Sequence, residues 1–399
     1  MEVYSKQRMK SGLPEEWQVA DIGDLFSISA GRDFDPSRSR TDQSTDYPYP
    51  VYSNALTKDG LHAFCSYADY GSGSITVTAR GTLGVANYRD HDFTAIGRVL
   101  VLKPRVRMDG RYYSHFINNR LSFAVESTGV PQLTAPQIAK YPVAFPPLPE
   151  QRAIADALSD VDALIERLGA LIAKKRAIKT ATMQRLLTGQ QRLPGFDGEW
   201  TTKRLGEIGS TYGGLTGKTR KNFGTGSARY VPFLNIMNNV TIDLGQLEKV
   251  EVFEGESQNA IQKDDLFFNT SSETPEEVGM CSTLRAEVKN VYLNSFCFGF
   301  RLHDEAGVDN LFLTYFFRSK VGRELIYSLA QGATRYNLSK SNFIKLEIDF
   351  PSLEEQQVIA TILSDMDAEI EALQARREKT QAIKQGMMQE LLTGRTRLV

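Results

Sequence analysis

The sequence predicts an α+β fold: two mixed α/β domains joined by two long antiparallel helices, a coiled-coil-like spacer with pseudo-two-fold, circular repeat organisation. Three observations lead there. A helical stretch recurs in the middle and at the end of the chain. The segments between its copies begin alike and then diverge. The N-terminal "KQRMKSGLPEEW" resembles "GQQRLPGFDGEW", the stretch that follows the first copy.

The repeat is the strongest of these. "MQRLLTGQQRL" (Met183 to Leu193) returns as "MQELLTGRTRL" (Met388 to Leu398) at an offset of 205. Followed backwards, the register holds without a gap from Phe145 to Leu193 against Phe350 to Leu398, 49 positions with 28 identities. Self-similarity over that span marks a duplicated structural unit.

Each copy reads as a long helix. Ile154, Leu158, Val161, Ile165, Leu168 and Ile172 alternate spacings of four and three, a heptad seam. Ile359, Leu363, Met366, Ile370 and Leu373 repeat it until Arg377. A second apolar set, Ile178, Met183, Leu186 and Leu187, is matched by Ile383, Met388, Leu391 and Leu392. Pro146, Pro147 and Pro149 precede the first copy, and Gly189 and Gly394 are C-terminal stops. A helix of ~35 to 38 residues is ~50 to 57 Å long. One small domain does not cover that length, so each seam is expected to face the other copy in an antiparallel pair. The alternative is that each helix packs only on its own domain.

The boundaries follow: a first domain over 1–145, its helix over 146–193, a second domain over 194–349 and its helix over 350–399. "EEWQVADIGDLFSISAG" and "GEWTTKRLGEIGSTYGG" open the domains, with Trp17 facing Trp200 and Gly23 facing Gly206. Runs such as "SITVTARG", "GRVLVLKP" and "VYLNSFCFGFRL" read as strands among many turns. One helix is expected late in each domain, at "YYSHFINNRLSFAVES" and "LFLTYFFRSKVGRELIYSLA".

Composition narrows the class. With 399 residues, 41% hydrophobic and 24% charged, the chain is ordinary globular material for two or three domains. Three scattered cysteines, Cys65, Cys281 and Cys297, argue against a disulfide framework and for a reducing compartment. No apolar run suits a signal peptide or a membrane span, so a soluble cytoplasmic protein is expected. A net charge of −1 does not advertise nucleic-acid binding; basic groups must be local, or a partner must share the grip.

Catalytic motifs fail on spacing. A P-loop needs glycine where Tyr212 stands before Gly217, Lys218 and Thr219. "YGSGSIT" lacks the third glycine of a dinucleotide fingerprint, and "FPPLP" has no polar residue ahead of its prolines. His62, His91, His115 and His303 show no metal-ligand spacing beyond His62 and Cys65, and Glu287 to Lys289 ("EVK") lacks supporting acids. Symmetry without a catalytic site suggests a reader or scaffold. Half-sites on one face of B-DNA lie ~34 to 36 Å apart, which such a spacer accommodates.

"PPLPEQRAIADALSDVDALIE…LLTGQQRL" and "PSLEEQQVIATILSDMDAEIE…LLTGRTRL", with the domain starts at Trp17 and Trp200, resemble the specificity (S) subunit of type I restriction-modification systems. The resemblance spans essentially the whole chain. It implies two target recognition domains, each reading one half of a split, asymmetric sequence in double-stranded DNA. It implies helices that set the spacing and dock two methyltransferase (M) subunits, with restriction (R) subunits in the full complex. It implies no catalytic residue, no metal and no cofactor on this chain; S-adenosylmethionine, ATP and magnesium belong to the partners.

Base edges and phosphates are met by Arg, Lys, Asn, Gln, Ser and Thr on loops. The candidates are Arg32, Arg38 and Arg40 in "AGRDFDPSRSR", Arg80 and Thr82 in "TARGTLG", and Gln132 in "TGVPQLTAPQ". In the second domain they are Lys218, Arg220 and Lys221 in "YGGLTGKTRKN", and Arg335, Tyr336, Asn337 and Lys340 in "GATRYNLSKSN". The two late loops are counterparts, with Gln132 aligned to Asn337 and Leu133 to Leu338. "NTSSETPEE" is a polar loop whose acids suit phosphate poorly. The helical seam residues Ile154, Leu158, Val161, Ile165, Leu168, Ile359, Leu363, Met366, Ile370 and Leu373 are the interface candidates. "AKKRAIK" (Lys174, Lys175, Arg176, Lys179) faces solvent, DNA or a partner; only Lys379 and Lys384 match it in the second copy. The rival readings are a duplicated adaptor that binds protein or RNA, and a self-sufficient enzyme.

Overall fold

The structure is a computed structural model and describes residues 9–10, 12–123, 131–332 and 335–398. The chain forms two compact units, Met1–Gly169 with Ala375–Val399, and Ala170–Gln374. Packing therefore divides each long helix between the units, whereas the sequence segments set helices apart from domains. Among the described residues five helices exceed two turns: α1 (Gly110–Arg120), α2 (Leu148–Leu186), α3 (Asn310–Arg318), α4 (Lys320–Leu329) and α5 (Leu353–Leu391).

The first unit contains β1 (Gln18–Asp21), β2 (Phe26–Ala30), β3 (Ser39–Arg40), β4 (Tyr49–Tyr52), β5 (Leu61–Cys65), β6 (Ser74–Thr78), β7 (Ala86–Arg89), β8 (Thr94–Ala95), β9 (Val99–Pro104) and β10 (Pro142–Phe145). Its central sheet is antiparallel in the order β2-β9-β6-β7, and a smaller sheet runs β3-β5-β4-β8. The "VLVL" run explains why both are needed. Side chains alternate across a strand, so Leu100 and Leu102 join the core beneath α1 with Tyr112 and Phe116. Val99 and Val101 face the other way, onto Tyr52 and Phe93.

The second unit repeats this plan with β11 (Thr201–Arg204), β12 (Gly209–Gly213), β13 (Phe223–Val231), β14 (Glu248–Val250), β15 (Leu266–Asn269), β16 (Ser271–Ser272), β17 (Cys281–Thr283), β18 (Val291–Leu293), β19 (Cys297–Leu302), β20 (Tyr336–Asn337) and β21 (Glu347–Phe350). Its central sheet, β12-β19-β15-β17, has the strand order of the first. Phe298 and Phe300 enter the main core, while Cys297 turns to a second one. The opening strands pair in matching register, Gln18 with Phe145 and Thr201 with Phe350. The single late helix expected in this domain is two helices, α3 and α4. Ser319 ends one and caps the other, its hydroxyl accepting from the Gly322 amide at 3.3 Å. A Cβ on Gly322 would stand 2.0 Å from the Phe316 carbonyl, so the close break requires glycine. All three cysteines are buried, and burial pushes the Cys281 thiol up to about 12.

The helix repeat explains its own identities. In the first unit the Glu150 carboxylate is fully buried and accepts from Arg397 at 2.6 Å; in the second, Glu355 accepts from Arg192 at 2.8 and 2.6 Å. Gln151 donates to Pro146 and accepts from the Asp109 amide, at 2.9 and 3.1 Å. Gln356 does the same with Pro351 and Asp309, both at 2.9 Å. Gly394 and Gly189, at φ of 72° and 69°, lie against Trp17 and Trp200. Thus the "EQ" pair that opens each copy and the "LLTG..RL" that closes the other meet in each unit.

The apolar seam serves more than one partner. Ile154 and Leu158 sit in the first domain's core together with Leu391 and Leu392, and Ile359 and Leu363 in the second's with Leu186 and Leu187. Further along, Leu168 and Ile370 are buried, Val161, Ile165, Met366 and Leu373 are half-buried, and Ile178 and Ile383 are exposed. Antiparallel pairing inside the units is fixed by Asp162 with Lys384 at 2.5 Å, Lys179 with Asp367, and Lys175 with Glu369 at 2.6 Å. Lys175 and Lys179 of "AKKRAIK" are thereby engaged with the other helix. Lys179 and Lys384 are repeat equivalents, as are Asp367 and Asp162, so this ion pair is made symmetrically, whereas Thr380 stands in the place of Lys175.

Candidate nucleic-acid interface

At one end of each central sheet a short series of backbone hydrogen bonds binds four segments together. In the first unit Gly31 N–H donates to the Val99 carbonyl at 2.8 Å, and Val99 N–H closes a turn onto Ile96 at 3.1 Å. Ala79 N–H donates to Arg98, and Leu133 N–H to Ala79, both at 2.9 Å. The second unit repeats every step: Gly214 to Cys297 at 3.3 Å, Cys297 to Asn294 at 3.1 Å, Thr270 to Phe296 at 2.9 Å, and Leu338 to Thr270 at 2.8 Å. The segment after β2 or β12, the turn before β9 or β19, the loop after β6 or β15, and the late polar segment therefore form one edge.

The candidate residues fall on this edge and on the loops beside it. Arg80 pairs with Gln132 through backbone and side chain (3.3 Å), in the place where Ser271 pairs with Asn337. Gln132 thus occupies in its unit the place that Asn337 occupies in the other, and Leu133, like Leu338, is buried beneath. Thr82 is exposed in a loop tightened by its carbonyl, which accepts from Thr78 at 2.5 Å. Arg32 extends from the same edge but is paired with Asp69 at 2.8 Å. Arg38 and Arg40 stack on Tyr67 and Tyr47, 4.1 and 4.8 Å from the ring centroids. Such stacking holds a guanidinium in place with donors left over for phosphate, although Arg40 spends one on the Ser39 carbonyl at 2.7 Å.

In the second unit Arg220 and Lys221 are exposed on a short helical turn. Lys218 is not available: its side chain is 3% exposed and its ammonium donates to Glu256 at 2.5 Å. That contact, with the Phe253 amide and Gln258, holds the Glu256 carboxyl down at about 2. Arg335 is exposed and lines a groove of about 310 Å³ with Ser271, Glu273, Glu277 and Phe296. Tyr336 is half-buried in the strand that carries Asn337, and the Lys340 ammonium lies 3.5 Å from where a Cβ on Gly213 would stand. Of the late loops, Thr128, Gly129 and Val130, and Ala333 and Thr334, lie outside the described residues.

Two arginines, Arg89 buried and Arg323 half-buried, brace loops of the two units. Arg323 donates to the Glu276 and Gly279 carbonyls at 2.9 Å, and also to Val278, clamping the "NTSSETPEE" loop. Arg89 rests on Tyr52 at 3.4 Å and donates to Thr76 and Asp59 at 3.0 and 2.6 Å. Burial lowers the pKa of both. Arg98 and Phe296 carry no distinguishing signal in the sequence, since the turns "IGRV" and "NSFC" share no residue that would align them.

A family model described as the type I restriction modification DNA specificity domain matches residues 14–174 and, separately, 197–382. The chain belongs to the type I DNA specificity family. It is similar along its whole length to the type I restriction enzyme MjaVIII specificity subunit of Methanocaldococcus jannaschii, 22% identical over 100% of this chain and 98% of that one. A Mycoplasma pneumoniae relative is 27% identical over 149 residues, and there the chain spans 41% of the relative's length. Among solved structures it shares the fold of the type I restriction-modification system S subunit from M. genitalium, with a TM-score of 0.63, 15% identity, and coverage of 97% and 98%. Both family matches start at the Trp17 and Trp200 repeats and run into the long helices. Membership therefore rests on two copies of the specificity domain in one chain. Among the described residues no helix is long and apolar enough to cross a membrane, and no group of three metal-binding side chains is present.

Proposed function

We propose that each unit reads one half of a bipartite, asymmetric DNA target through the edge described above, while the helices fix the separation of the halves and dock methyltransferase subunits. The observation that carries this is the edge itself: one backbone framework, built twice, with different polar side chains on it. Sequence is read by base-edge contacts and register by phosphate contacts. In this reading Arg80, Gln132, Arg335 and Asn337 make the first, and Arg38, Arg40, Arg220, Lys221 and Lys340 the second. Lys218, engaged by Glu256, acts by shaping its loop rather than by touching phosphate.

The exposed isoleucines Ile178 and Ile383, at equivalent places on α2 and α5, supply apolar anchors for methyltransferase subunits. In this reading S-adenosylmethionine, ATP and magnesium are held by methyltransferase and restriction subunits, this chain carries no catalytic residue, and the assembly is cytoplasmic. A net charge of −1 accords with DNA grip shared among subunits. The test is co-expression with the methyltransferase encoded beside this chain, followed by mapping of modified adenines. Methylation at one split motif that vanishes without this chain is the expected result. Methylation indifferent to the chain, with a competent partner, favours the adaptor.

A further inference from the structure

The turn at the centre of the edge carries the sharpest difference between the units. Residues 96–99 and 294–297 are each joined to two corresponding neighbours, Gly31 and Ala79 in one unit and Gly214 and Thr270 in the other, by the same backbone hydrogen bonds. Arg32 N–H to Ala95 at 2.8 Å and Leu215 N–H to Leu293 at 2.8 Å extend the match on one side. Glycine is required beneath each turn, because a Cβ on Gly31 would lie 2.4 Å from the Ile96 carbonyl and one on Gly214 2.0 Å from that of Asn294. The third residue of the turn is Arg98 in one unit and Phe296 in the other, and both are exposed. Phe296, 56% accessible, lines the groove that Phe233, Ser271 and Arg335 also line, and keeps more than half of its surface open to a ligand.

We propose that Arg98 and Phe296 are specificity-determining residues at equivalent points of the two half-sites, Arg98 donating to the N7 and O6 of a guanine and Phe296 packing on the methyl group of a thymine in the major groove. These are the partners that an arginine fork and an apolar ring select among base edges. A rigid turn on glycine presents either side chain at the same height over its sheet, so exchange of one residue changes the base read without moving the frame. The proposal rests on the reading of the edge as a DNA interface.

The experiment uses the complex of this chain with its methyltransferase and compares wild type, Arg98→Ala, Phe296→Ala and Phe296→Arg on duplexes varied singly at every position of both half-sites. Arg98→Ala is expected to reduce discrimination at one base pair of one half-site by roughly 5- to 150-fold, with the other half-site unchanged. Phe296→Ala is expected to relax one position of the other half-site, and Phe296→Arg to install a guanine preference there. Thermal melting of each variant, unchanged from wild type, verifies that these exposed positions leave the fold intact. Equal weakening on all sequences would make Arg98 a phosphate contact and overturn its assignment. Half-site preferences unaltered in all three variants would overturn the proposal for both residues. A wild-type complex with no sequence preference would remove the underlying function as well.

Discussion

The helix ends and the domain edges are both duplicated, yet they keep different things. At the helix ends the same side chains make the same bonds twice, Glu150 to Arg397 and Glu355 to Arg192, Gln151 to Asp109 and Gln356 to Asp309. At the edges the backbone bonds recur, but the outward side chains such as Arg98 and Phe296 do not. The physical reason is where the geometry is stored. A helix end closed by a buried ion pair depends on those atoms, whereas a turn closed by backbone amides accepts any side chain that points outward. Framework and recognition are thus separable within one domain.

The largest effect is expected where side chains carry the geometry. Each pair joins a buried carboxylate to a guanidinium that solvent still reaches, so removing the carboxylate costs its hydrogen bonds and leaves a cavity rather than a buried charge. Glu150→Ala and Glu355→Ala are each expected to lower the melting temperature by roughly 5 to 10 °C. Differential scanning calorimetry of the full chain decides it. A large drop in one variant and none in the other would break the equivalence of the two ends, and Glu16, which also holds Arg397 at 2.8 Å, gives the first unit the smaller loss.

The edges have their own weak point in glycine. Gly31→Ala and Gly214→Ala force a methyl against a carbonyl and are expected to cost about 1 to 3 kcal/mol in chemical denaturation. Gly23→Ala and Gly206→Ala, where the nearest atoms stand at 3.0 and 3.1 Å, are expected to cost less. The reverse order would separate the glycine repeat from the packing of the turn. Next in size is Arg335→Ala, expected to weaken binding to variants of one half-site only, by ~1 to 3 kcal/mol if the guanidinium reads a base. Equal loss at both half-sites in competition binding would remove Arg335 from the reading edge.

Much of the framework was legible because duplication writes it twice. The 205-residue offset located both helices and their glycine stops, and the likeness of the two domain starts matched Trp17 with Trp200. Even the distant match of Gln132 with Asn337 survived in the backbone pairing. The partners of the seam were less legible, since heptad spacing reports that Ile154 and Leu158 are apolar on one face but not whether a helix or a sheet covers them. Likewise "FRSKVGREL" reads as one amphipathic helix until the contact at Gly322 is known. Among the candidate cations, residue type could not tell Arg38, resting on Tyr67, from Lys218, buried on Glu256. That distinction lies in long-range pairing, 29 and 38 residues away.

The two loops after the opening glycines therefore differ in how they hold a cation, and pH separates them. Glu256 is held at about 2, well below its ordinary 4.5, first by Lys218. A carboxyl whose folded pKa is depressed stabilises the fold fully above its unfolded pKa, and the contribution fades as pH falls towards the folded value. The melting-temperature difference between wild type and Glu256→Gln is therefore expected to be constant above about pH 5, to shrink below 4.5 and to vanish near 2. Because Lys218 and Glu256 sit on a peripheral loop, the effect at neutral pH is the smallest of these. Arg38 leans on a ring that stays neutral throughout that range, so the difference between wild type and Tyr67→Leu is expected to stay flat from pH 6 to 3, about the span over which carboxylates titrate. A flat profile for Glu256→Gln would mean that Lys218 is free to face phosphate after all, and the two loops would then present their cations alike.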